Sequence, residues 1–143
     1  MASYITVKYN GDLLKSILTI DDVLRTKIID EAKAAALNVE TGAKRDCPVD
    51  NGTLRNSIHI EEQLNGSSYS VLIGSDIPYA PYVEFGTGDF VSVLPEYQDF
   101  AMQFKGSKKV VGMNAQPYLI PNYEEEKIRF IERLKALFNN VKS

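Results

Sequence analysis

Residues 57–75 read Ser-Ile-His-Ile-Glu-Glu-Gln-Leu-Asn-Gly-Ser-Ser-Tyr-Ser-Val-Leu-Ile-Gly-Ser. Ile58, Ile60 and Leu64 alternate with His59, Glu61 and Gln63, and Tyr69, Val71 and Ile73 repeat the alternation further on. A period of two sends successive side chains to opposite faces, as in a half-buried strand. The short Asn65-Gly66-Ser67-Ser68 break between the two runs predicts a β-hairpin. This hairpin decides the fold class, because it requires an antiparallel sheet with one face covered.

The covering elements lie on either side. Upstream, Leu24, Ile28, Ala32, Ala35, Ala36, Val39 and Ala43 recur at three- and four-residue spacing, which predicts a helix over 21–46 with one apolar face. Thr19 or Asp21 can cap its start through a short oxygen side chain. Asp46-Cys47-Pro48 ends it, since proline disfavours helical geometry in the residue before it. Asp50-Asn51-Gly52 then signals a turn, with Gly52 free to take positive φ. Residues 3–9 alternate again, Ile5, Val7 and Tyr9 against Tyr4, Thr6 and Lys8, and Asn10-Gly11-Asp12 follows as a turn.

Downstream, residues 79–88 are apolar and aromatic with neither period. Phe100, Met102 and Phe104 alternate ahead of Lys105-Gly106-Ser107-Lys108-Lys109 and Val110-Val111-Gly112-Met113, and we read residues 89–113 as a second, longer hairpin or loop insertion with a basic tip. A final helix is expected over 118–138, with Pro121 in its first turn and Ile128, Ile131, Leu134, Leu137 and Phe138 as its buried stripe. The order strand, helix, hairpin, irregular segment, hairpin, helix predicts one α+β domain over 1–143. In it a mostly antiparallel sheet is covered on one face by the long helix of the N-terminal half and the C-terminal helix.

Composition bounds the function. The chain has 143 residues, enough for one packed core. Its net charge of −3, from 16 basic and 19 acidic residues, argues against a dedicated duplex-DNA binder. The single cysteine, Cys47, cannot form an internal disulfide, which suits synthesis in a reducing cytoplasm. The chain does not open on a charged segment followed by a long apolar run, and no stretch of about 18 apolar residues occurs. Neither a signal peptide nor a membrane helix is expected.

Catalytic chemistry finds little to work with. The only histidine, His59, sits in a predicted strand on the face opposite Ile58 and Ile60 and reads as solvent-facing. Cys47 at a helix end reads as a small buried thiol, because activation needs a nearby base or cation. One histidine and one cysteine cannot make the usual zinc sets. Asp21-Asp22, Glu61-Glu62 and Glu124-Glu125-Glu126 are adjacent in sequence, so they fan apart rather than converge. Gly86-Thr87-Gly88 lacks the spacing of a nucleotide loop. No catalytic residue, metal or cofactor is expected. Lys105, Lys108 and Lys109 support an alternative reading, a small nucleic-acid-binding module that uses the basic tip.

The aromatics carry more. Tyr79, Tyr82, Phe85, Phe90, Tyr97, Phe100 and Phe104 fall within 26 residues, in the least regular part of the chain. Such segments are commonly functional, and aromatics are enriched at interface hot spots. Together with Glu84 they are the expected subunit interface, with completion of the core an equal alternative for Tyr79, Tyr82 and Phe85. Glu84 lies among apolar neighbours and should be either an intersubunit partner or hydrogen-bonded locally.

Three segments in order resemble a known family: Cys47-Pro48-Val49-Asp50-Asn51-Gly52-Thr53-Leu54-Arg55-Asn56-Ser57-Ile58, Tyr79-Ala80-Pro81-Tyr82-Val83-Glu84-Phe85-Gly86-Thr87-Gly88, and Ala115-Gln116-Pro117-Tyr118-Leu119-Ile120-Pro121. They look like the tail-component, or neck, family of long-tailed double-stranded-DNA phages, over about residues 20–140. The motif positions are Pro48, Asp50, Gly52, Leu54, Ser57, Gly86, Thr87 and Pro117. Pro48 stops the helix, Asp50 and Gly52 shape the turn, Leu54 anchors it, and Gly86 takes a conformation closed to other residues. The resemblance implies a non-enzymatic virion protein at the head–tail junction, made in the bacterial cytoplasm. It implies a ring of six or twelve copies that meets head-completion or connector proteins on one side and tail-terminator or tail-tube proteins on the other, with DNA passing through the lumen and no membrane partner. Residues 89–113 and the strand before the long helix depart from compact members of the family.

Overall fold

A computed structural model of the chain describes residues 3–9, 22–49, 52–65, 68–87, 93–103 and 112–141. Among the described residues three strands form one antiparallel sheet: β1 (Ser3–Tyr9), β2 (His59–Asn65) and β3 (Ser68–Ser75). Their order is β1-β3-β2, so the hairpin supplies the centre and one edge. Ile60 pairs with Ile73, Glu62 with Val71 and Leu64 with Tyr69. On the other side Ile5 pairs with Ile73 and Val7 with Val71.

The helix α1 (Asp22–Asp46) lies on the face that carries Tyr69, Val71 and Ile73. Its whole predicted stripe, Leu24 to Ala43, is buried. Four of those seven residues are alanines, so the helix axis can approach the sheet closely. The large side chains at the contact are Ile28, Val71 and Ile73, all fully enclosed. Each contributes roughly 1.5–3 kcal/mol through burial alone. Leu54, within the short helix α2 (Thr53–Ser57), and Ile58, which follows it, join the same core and anchor the turn that follows α1.

The last helix, here α5 (Ile120–Val141), packs along α1. The expected stripe on it is partly wrong. Ile128 is 63% exposed and Ile131 42% exposed, whereas Phe130 and Glu126 are buried. A run at a constant spacing of three turns back by about 60° per step, so Ile128, Ile131, Leu134 and Leu137 cannot share one face. The inward face runs through Tyr123, Glu126, Phe130 and Leu134. Glu126 is affordable there because Asn38 Nδ2 donates to its Oε1 at 3.0 Å and Arg133 Nη2 at 2.6 Å, while Arg133 Nε reaches Glu31 of α1 at 2.7 Å.

The helices come close together at Gly42. A Cβ there would lie 2.0 Å from Asn122 Oδ1. Asn122 is itself committed, donating to Asp46 Oδ2 at 2.9 Å and to the Tyr118 carbonyl at 2.7 Å. Arg45 and Asn122 hold the Asp46 carboxyl at about 2, below its ordinary value. Gly42→Ala should therefore destabilise by about 1–3 kcal/mol despite the better helix propensity of alanine. In an Asn122→Ala background the same change should instead be neutral or gain up to about 1 kcal/mol. Urea unfolding of the four proteins checks this; the same cost in both backgrounds would rule out the steric explanation.

Within the 89–113 insertion, the strand expected through Phe100 and Met102 is a further correction. Pro95–Tyr97 forms a 3₁₀ turn that runs into the helix α4 (Gln98–Met102). Pro95 opens the turn, and Tyr97, Phe100 and Ala101 then fall at helical spacing. Three alternating apolar residues were too few to specify a strand. The basic tip, Lys105, Lys108 and Lys109, lies outside the described residues, as do Phe90, Phe104 and Asp50.

Candidate subunit-contact surface

The three motif segments, far apart in sequence, meet at one end of α1. Pro48, Val49, Gly52 and Leu54 from the first line a groove together with Tyr79 and Val83 from the second, Gln116 from the third and Met113 just ahead of it. Local geometry explains the assembly. Gly52 takes φ 80°, in the left-handed region, at the entry to α2, and its carbonyl accepts the Asn56 amide at 2.9 Å. Ser57 Oγ donates to the Leu54 carbonyl at 2.6 Å and accepts from Ser75 Oγ at 2.5 Å, which ties the end of α2 to the end of β3.

The helix α3 (Ala80–Phe85) carries the second motif and stops at Gly86. Gly86 has φ 77° and ψ 178°, a combination essentially reserved for glycine. It turns the chain so that Thr87 meets Met113. The Thr87 amide donates to the Met113 carbonyl at 2.9 Å, and the Met113 amide donates to Thr87 Oγ1 at 2.8 Å. This reciprocal pair closes the base of the insertion between them. The Gln116 amide donates to the Val83 carbonyl at 2.8 Å and fastens the third motif to α3.

Glu84 is the centre of the arrangement. It is 5% exposed. Its Oε2 accepts the amides of Tyr118 and Leu119, and its Oε1 the amide of Ile120, each at 2.9 Å. The first amides of a helix have no partner within the helix, and their dipoles favour negative charge. Glu84 thus caps α5 from another element. Burial pushes its carboxyl above its ordinary value, and the three amides pull it part of the way back. A carboxyl raised in the fold holds its proton more tightly there than in the unfolded chain. Its contribution to stability therefore declines as pH rises from the ordinary carboxylate range through the folded value.

The expected interface residues divide. Tyr79, Tyr82 and Phe100 are exposed, by 45%, 38% and 38%. Glu84 and Phe85 are interior and offer no surface to another subunit, because both serve contacts within this one. Phe85 packs with Ala101 and Ile120, and its ring meets Phe100 edge-on at 5.8 Å. Tyr97 is half-buried and its hydroxyl donates to Glu124 of α5. Pro117 is exposed and lines a smaller cleft with Phe85, Leu94 and Ile120. The amides that Glu84 binds escaped sequence reasoning, since a backbone donor leaves no mark on residue identity.

His59 is half-exposed. Its Nδ1 lies 2.7 Å from the Ser57 carbonyl and its Nε2 3.1 Å from Glu61 Oε1. An imidazolium donates to both, so the Ser57 carbonyl first and then Glu61 raise its pKa above the ordinary value. This contribution to stability is complete below the unfolded pKa and disappears as pH climbs through the folded one. A proton NMR titration of this lone histidine should give a midpoint above 6.5, and Glu61→Gln should lower it; an unchanged midpoint would contradict the pairing. Cys47 is buried, and burial pushes its thiol up, away from nucleophilic use. Among the described residues no group of His, Cys, Asp and Glu could hold a metal ion, and no helix is long and apolar enough to cross a membrane.

Comparison with known families is decisive on one point. The family described as "Bacteriophage HK97-gp10, putative tail-component" matches residues 11–86, just over half of the chain. The chain belongs to this family. The match runs from before α1 through the hairpin to the end of α3, so the tail-component family accounts for Glu84 and Gly86 but ends ahead of the insertion and α5. No curated protein and no solved structure matches the chain. A structural role in a phage particle follows from membership of the tail-component family.

Proposed function

We propose that the chain is a ring-forming subunit at the head–tail junction, joining or completing neck and tail through contacts alone. One observation carries this beyond the family. Where the three motifs converge, buried polar groups are spent on holding segments together, and Val49, Tyr79, Tyr82 and Met113 stand exposed, with Gln116 as an exposed polar side chain in the groove. A reaction centre needs convergent polar groups open to substrate; an apolar surface rimmed by a bonded framework suits a partner. Unlike patches on successive copies close into a ring when the rotation per subunit closes. Six or twelve copies would match the expected symmetry, with head-completion and tail proteins on the two faces. Native mass spectrometry of the full chain tests this. A closed species of six or twelve subunits is expected; a protein monomeric at every concentration, or open-ended polymers, would contradict it.

A further inference from the structure

We draw no further inference here: the strongest candidate, the groove lined by Val49, Tyr79, Val83 and Met113 where the three motifs meet, belongs to the surface already described, and nothing in the structure shows what covers it.

Discussion

Glu84→Ala should lower the unfolding free energy by about 3–5 kcal/mol. Among the described residues Glu84 is the side chain that reaches the amides of Tyr118, Leu119 and Ile120 at the head of α5, and all three residues are buried. Each buried donor deprived of its acceptor costs roughly 1–3 kcal/mol, less whatever water can restore in the space vacated. The lost carboxylate also leaves the positive end of a 22-residue helix dipole without its counter-charge. Glu84→Gln separates these effects. Its one carbonyl oxygen can still accept two amides, while its amide group opposes the third donor, so the loss should be roughly half that of alanine. Urea midpoints for the three proteins decide the matter. A loss under about 1 kcal/mol for Glu84→Ala would mean that α5 is capped by something else.

Phe85→Ala should cost about 3 kcal/mol or more, and the damage should be uneven. The ring fills the space between α3, the first turn of α5 and the 95–102 helical turns, touching Ala101, Ile120 and Phe100. Without it, the hydrogen bond from Tyr97 to Glu124 and the packing of Val93 and Ala101 against Ile120 are left to tie the insertion to α5. Amide hydrogen exchange should therefore accelerate at residues 97–102 by more than the overall loss of stability explains, while the amides of β3 follow the global change. Uniform acceleration would show that the insertion unfolds only with the core, and unchanged exchange would remove Phe85 from its anchoring role.

How far the fold could be read depended on whether one period dominated locally. The hairpin and α1 carry unmixed patterns, and both stand within a residue or two of where periodicity puts them. On α5, aliphatic residues occur on several faces, and the choice among them turns on Glu126. A carboxylate becomes an inward residue only once Asn38 and Arg133 are seen beside it, and those are 88 and 7 residues away in sequence. The 95–102 segment is too short for either period to win, so its tertiary anchor, Phe85, decides. At the contact surface, Gly52 and Gly86 were legible because only glycine is at ease with their backbone angles. Glu84 was legible as an anomaly, a carboxylate among apolar residues, while its answer lay in backbone groups more than thirty positions downstream.

Electron microscopy of particles made without this protein addresses the central claim most directly. A phage carrying a nonsense mutation in its gene, grown in a host that cannot suppress it, should yield DNA-filled heads and separate tails that fail to join. Supplying the protein from a plasmid should restore whole particles. Complete, infectious virions in its absence would contradict the account.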